Sequence, residues 1–152
     1  MRLTGAERLG RAADGDAILD GHPVEVKRAT SKTLNQVRAV KYLPIAVYFE
    51  PRGEWYVVPA HSVVVAVSQR VRGQHTENPF ESATLNLRSL EEFKIPRPDR
   101  LRDATLEAVR ASAHHPELLA EMQSVLRESR ALADATLDRV RALIRKLGLV
   151  GE

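Results

Sequence analysis

The chain has 152 residues and a formal net charge of +3, a length that suits one domain with at most an appendage. Hydrophobic residues make up 43% and aromatics 5%, which excludes a disordered chain and leaves the core to Val, Leu, Ile and Ala. The absence of cysteine excludes disulfides, thiolate metal sites and a cysteine nucleophile. The longest apolar run, Val63 to Val67, is far short of the roughly 20 residues of a spanning helix. Met1 to Asp16 has no apolar core of a signal peptide, so a soluble cytoplasmic protein with no membrane partner is expected.

Leu3, Ala6, Leu9 and Ala13 sit at helical spacing and predict a short helix over 3–13. Two short strands flank Asp20-Gly21, a strong hairpin turn signal, between Gly15 and Arg28. Ser31 can cap a helix running to about Tyr42, with Leu34, Val37 and Val40 facing inward. Pro44 to Glu50 reads as a buried strand, Pro51 to Glu54 as a turn and Trp55 to Pro59 as the returning strand. Over 61–72, valines at a spacing of four, Ser62 as cap and Gly73 as stop favour a helix. Ser82 to Leu87 alternates as a strand does, and Ser89-Leu-Glu-Glu92 matches a capping box.

Ile95-Pro-Arg-Pro-Asp99 is the one clear boundary, dividing a core over 1–95 from a helical extension over 96–152. The extension opens with a helix over about 100–113. His114-His115-Pro116 breaks it, and Pro116 suits the first position of the next helix. Leu119, Met122 and Leu126, then Leu137, Val140, Ile144 and Leu147, form stripes that need a partner surface. A two-fold homodimer is the first expectation for that surface and packing on the core the second.

Charge is unevenly placed. Between Val26 and Arg72 stand eight basic residues and two acids, a local excess of six on a chain whose total is three. Such a patch suggests a polyanion partner, with a solvated basic face as the plain alternative. Arginine outnumbers lysine 18 to 5, which suits phosphate contacts and also follows from GC-rich coding.

The hairpin carries the most chemistry. With a two-residue turn at Asp20-Gly21, opposed positions sum to 41, which sets Asp16 opposite Glu25 and puts Lys27 on the same face. Ala17, Leu19, Val24 and Val26 then form the core face. Two ionised carboxylates about 5 Å apart repel by roughly 3 kcal/mol at an effective dielectric near 20. A divalent cation is one compensation, since Mg²⁺ takes one or two carboxylates plus substrate phosphates. Lys27 in a cross-strand ion pair is the other.

Asp16 followed by Glu25-Val26-Lys27 resembles the D…(D/E)-x-K signature of PD-(D/E)XK nucleases. Within that superfamily the likeness is greatest to archaeal-type Holliday-junction resolvases, including phage-borne ones of thermophiles. It rests on the ExK strand, on Leu43-Pro-Ile-Ala-Val-Tyr-Phe and on Trp-Tyr-Val-Val-Pro59, and covers about residues 3 to 60. Gly15 stands where the family often has proline, the Asp-to-Glu spacing is short, and the basic N-terminal tract is absent.

The resemblance implies an α/β restriction-endonuclease-like core, with a mixed central sheet flanked by helices and a C-terminal helical extension. It implies a Mg²⁺-dependent endonuclease hydrolysing phosphodiester bonds of branched DNA, with Mn²⁺ expected to substitute and no organic cofactor. Asp16 and Glu25 would bind the metal with the Val26 carbonyl, Lys27 would serve the attacking water, and Glu7 would resemble the assisting glutamate of the N-terminal helix. Lys32, Gln36, Arg38 and Lys41 would contact DNA phosphates from the helix after the ExK strand. The location is then the cytoplasm, or the host cytoplasm for a phage protein. A restriction or repair nuclease on duplex or single-stranded DNA, and a non-catalytic DNA-binding protein of this fold, are the alternatives. Asp20 is read as a turn residue, His22 as an exposed one, His61 as a helix start and His114-His115 as a helix end.

Overall fold

The computed structural model describes residues 7–8, 16–69, 78–127 and 134–151. Five strands form one mixed sheet in the order β1-β2-β3-β5-β6, namely β1 (Glu7–Arg8), β2 (Ala17–Leu19), β3 (His22–Ala29), β5 (Ile45–Phe49) and β6 (Glu54–Val58). β3 and β5 are parallel, and the other neighbours are antiparallel. A second, two-stranded sheet pairs β4 (Thr33–Val37) with β7 (Ala83–Asn86). The helices are α1 (Ala60–Ser68), α2 (Leu101–Ser112), α3 (Pro116–Arg127) and α4 (Asp134–Lys146). Among the described residues no helix is long and apolar enough to cross a membrane.

Side-chain alternation along the strands divides the core in two. Ile45, Val47, Phe49, Tyr56 and Val58 face one layer, where they pack with α1, the β4/β7 sheet, Leu118, Met122 and Val125 of α3, and Val140 and Ile144 of α4. Ala46, Val57, Trp55, Leu19 and Val24 face the other layer, which Leu101 and Ala108 of α2 cover. The molecule is thus α/β with helices on both faces of a mixed sheet. The C-terminal helices find their partner surface on the core of the same chain.

The hairpin has the expected register, with Ala17 opposite Val24, Ile18 opposite Pro23 and Leu19 opposite His22. Asp20 and Gly21 both have positive φ, 47° and 80°, as a type I′ turn requires. The strands at 45–49, 54–58 and 83–86 and the helices from Ala60, Leu101 and Pro116 also match their expectations.

Several expectations are corrected. Glu7–Arg8 is a strand paired with Ala17 and Ile18 rather than part of a helix, because β2 offers an open backbone edge. The rest of that expected helix lies outside the described residues, as do Val71 and the Gly73 stop. The expected helix over 31–42 is β4 followed by a 3-10 turn at Ala39–Lys41. Leu34 pairs with Leu85 and Val37 with Ala83, so β4 carries one extra residue, a bulge, and Gln36 there has φ 54°. The bulge turns the strand's period of two into a spacing of three, which imitates a helix while burying the same Leu34, Val37 and Val40.

Val26, expected on the core face, is 42% exposed and lies outside the cluster that Leu101 and Ala108 of α2 cover. On α3 the buried stripe is Leu118, Met122 and Val125, while Leu119 and Leu126 are exposed. The 3-10 helix at Leu87–Phe93 starts earlier than the capping box implied: Asn86 caps it by accepting the Arg88 N–H.

Candidate active site at the head of the hairpin

Strand alternation decides where the acids go. Val24 is in the layer under α2, so Glu25 turns to the opposite, larger layer and is buried. Its backbone N–H donates to Pro44 O at 3.0 Å, which fixes β3 beside the start of β5. A buried carboxylate needs partners, and Glu25 has two. Lys27 Nζ lies 3.6 Å from Oε1. Lys41 Nζ donates to Oε2 at 3.1 Å and to Oε1 at 3.3 Å. Both lysines are themselves largely covered, with side chains 18% and 12% exposed.

Asp16 stands just ahead of β2. Its N–H donates to Val24 O at 3.1 Å, and its Oδ2 accepts the Val26 N–H at 2.9 Å. Asp16 therefore bonds the backbone on both sides of Glu25, through its own N–H and its carboxylate. Of the expected trio, Lys27 lies against Glu25, and Asp16 is bound to the backbone of Val26 beside them. Glu7 lies on β1, opposite Ile18 and so two residues from Asp16 in register; its side chain is outside the described residues.

The four residues expected to meet phosphate divide. Lys32, Gln36 and Arg38 are exposed on and around β4, and Arg38 Nε donates to Glu81 O at 3.3 Å. Lys41 instead turns inward to Glu25. Its contact was not legible in the sequence because it depends on where the 3-10 turn lands. Asp20 is held by Arg102 of α2, whose Nη2 donates to both carboxylate oxygens at 2.8 and 3.0 Å, which fits its reading as a turn residue. His22 is exposed, His61 lies in the first turn of α1, and His114 and His115 join α2 to α3.

The donor set is chemically suited to a hard divalent cation: carboxylates of Asp16 and Glu25, with the backbone between them. Asp16 spends Oδ2 on the Val26 amide, so Oδ1 is the oxygen it can offer. Glu25 has both oxygens engaged by Lys41, so a cation would compete with an ammonium for it. Among the described residues no group of three or more His, Asp or Glu converges as a metal site.

A second polar cluster lies at the α2–α3 junction. The His61 and His115 rings are 4.5 Å apart, and His61 Nδ1 is buried without a hydrogen-bond partner. Burial, then the nearby His115 and His114, push His61 down to about 4. Tyr42 OH donates to Ser112 O at 3.2 Å and His115 O at 3.3 Å. Burial and the Glu117 charge push its phenol up to about 12, so it stays a donor. In the sequence His61 reads as a helix start and His114-His115 as a helix end, and no local pattern signals that His61 and His115 meet.

Comparison with protein-family models, with curated proteins and with solved structures finds no match to this chain.

Proposed function

We propose that this chain is a metal-dependent DNA endonuclease with a restriction-endonuclease-like core, hydrolysing phosphodiester bonds in branched DNA as a junction resolvase. The observation that supports the reading is a buried Glu25 with Lys27 3.6 Å away on the same strand, next to a Val26 amide that donates to Asp16. An apolar layer does not hold an ionised carboxylate with two lysines for its stability alone at any advantage over hydrocarbon. Such a cluster is more useful where charge must be placed in advance for chemistry.

In this reading Mg²⁺ supplies an acidified water and neutralises charge on the scissile phosphate. Asp16 and Glu25 hold the cation, with the Val26 carbonyl between them. Lys27, as an ammonium, would orient the water and stabilise the charge that develops on the phosphate oxygens. Exposed Lys32, Gln36 and Arg38 hold the DNA backbone, which positions the duplex without reading its sequence. Glu7 remains a candidate assisting carboxylate. A two-fold dimer through the exposed Leu119 and Leu126 of α3 would set two cuts symmetrically. The helix expected to border DNA is replaced here by the bulged β4, so those contacts come from a strand and its turns.

A second reading, a non-catalytic DNA-binding protein, is favoured by one observation: Glu25 is already balanced by two lysines without a cation. One experiment separates them. A synthetic four-way junction and a linear duplex of the same arms are incubated with protein and Mg²⁺ or EDTA. Paired nicks in the junction alone, lost with EDTA, are expected. Asp16→Asn keeps an acceptor for the Val26 N–H, so the melting temperature should hold while cleavage falls about 100-fold or more. Cutting of both substrates would retain the nuclease and discard junction preference. Binding without cutting under Mg²⁺ and Mn²⁺ would establish the second reading.

A further inference from the structure

The ribbon of β4 and β7 has two unlike faces. Leu34, Val37, Ala83 and Leu85 are buried in the core. Register sets Thr33 opposite Asn86, and alternation puts Asn35 and Thr84 with them on the outer face. Thr33, Asn35 and Asn86 are exposed, and Thr84 is partly so. Thr84 Oγ1 donates to Asn35 Oδ1 at 3.2 Å, which ties the two strands together on that side. These four side chains are uncharged, yet cations stand at both ends of the ribbon. Exposed Lys32 and Arg88 flank the Thr33–Asn86 end, where the Leu87 N–H donates to Lys32 O at 2.8 Å. Exposed Arg38 follows Val37 at the other end. Glu81, two residues before β7, is the acid there, and its backbone carbonyl accepts Arg38 Nε at 3.3 Å.

Hydrogen-bonding side chains between cations suit a duplex. The major groove of B-DNA admits a two-stranded ribbon and shows each base pair as a distinct donor and acceptor pattern. Lys32 to Arg38 spans at most about 20 Å at 3.3 Å per residue, against a groove about 12 Å wide. Stacking of unpaired bases needs aromatic side chains, and Thr33, Asn35, Thr84 and Asn86 supply none. Asparagine meets adenine through two bonds, accepting from N6 and donating to N7. Asn35 Oδ1 has two lone pairs, so giving one to Thr84 orients the amide and leaves the other for N6.

We propose that the outer face of β4 and β7 enters the major groove of duplex DNA, where Asn35 reads an adenine edge. Thr84 is a positioning residue for Asn35, and Lys32, Gln36 and Arg38 keep the phosphate contacts given to them above. This rests on the DNA-binding part of that reading and adds base recognition to it. β4 runs directly into the 39–41 turn, whose Lys41 contacts Glu25, so the strand that reads bases is continuous with the candidate site.

The test is selection from a library of short duplexes randomised at their centre, with full-length protein in EDTA so that binding is read without cleavage. Wild type should enrich a short motif containing adenine and bind it about 10-fold more tightly than a scrambled duplex. 7-Deazaadenine at that position removes the major-groove N7 and should abolish the gain without any change to the protein. Asn35→Ala should do the same at an unchanged melting temperature and an unchanged salt slope. Asn35→Arg should move the preference from adenine to guanine, which a merely structural asparagine would not do. Thr84→Val keeps the strand and should lose about 3-fold of the preference. Lys32→Ala and Arg38→Ala should instead weaken all sequences alike and each lower the salt slope by about 1. Salt-dependent binding without any enriched motif would overturn base reading and leave the DNA-binding reading standing. So would a motif that survives both Asn35→Ala and 7-deazaadenine, since the readout would then lie elsewhere. Single-stranded RNA bound more tightly than duplex would assign the face to another occupant and overturn the proposal. If no nucleic acid binds at all, this proposal and the reading beneath it both fail.

Discussion

The head of the hairpin and the α2–α3 junction both hold titratable groups out of water, and they solve the same problem in opposite ways. Glu25 is buried with two lysines against its carboxylate. His61 has a neighbouring histidine in place of a counter-charge, and its pKa is pushed down to about 4. The choice follows from chemistry. A carboxylate near neutral pH needs a large shift to become neutral, whereas imidazole is already close to its titration point. The contrast teaches where function is economical. A charge retained against burial is available to a ligand, while a neutralised imidazole serves packing until the medium turns acid.

Three measurements can break or sharpen this contrast. The largest effect is expected from Glu25→Ala, which removes the buried carboxylate that Lys27 and Lys41 both contact. The loss should be about 3–5 kcal/mol by denaturant unfolding. Replacing Glu25, Lys27 and Lys41 together by Leu, Met and Met should recover most of it. A loss below about 1 kcal/mol in the single variant would mean that water reaches the cluster and that the carboxylate is not truly buried.

The second concerns pH. The folded pKa of His61 lies below the ordinary 6.5, so the unfolded chain takes up the proton first as pH falls. Its contribution is complete above about pH 6.5 and is lost progressively toward pH 4. The partial exposure of His61 limits the loss to on the order of 2 kcal/mol between pH 7 and pH 4.5. His61→Phe should flatten that part of the profile while keeping a ring against His115. An unaltered profile in the variant would assign the acid sensitivity to other groups.

The smallest effect belongs to Tyr42→Phe. It removes the hydroxyl that ties the 3-10 turn to Ser112 and His115, and should cost about 1 kcal/mol. Because the same turn carries Lys41, the variant also tests whether the two regions communicate. An altered Mn²⁺ affinity would show that they do, and an unchanged one that the seat of Val40 suffices to hold the turn.

Much of the fold was legible where local chemistry is strong. Asp20-Gly21 alone gives the turn type, and the turn gives the register that sets Ala17 opposite Val24. His114-His115-Pro116 marks a helix junction for equally local reasons. The errors share another cause. Leu34, Val37 and Val40 have helical spacing, yet a bulge at Gln36 serves the same burial in a strand. Glu7–Arg8 falls within a stretch of helical spacing and is a strand, since an edge of β2 is there to be paired. Val26 alternates as a core residue but lies outside the cluster that α2 covers.

The amino-acid sequence by itself determined the hairpin, the order of the main strands and helices, and the grouping of an aspartate with an ExK triplet. These depend on turn conformation and side-chain periodicity, which are properties of neighbours along the chain. Only the tertiary structure decided that Lys41 belongs to Glu25, that His61 meets His115, and that the C-terminal leucines divide between the core and the surface. Those contacts join residues 16, 54 and more than 70 positions apart. They depend on where the sheet's two apolar faces are covered, and no short-range pattern encodes that.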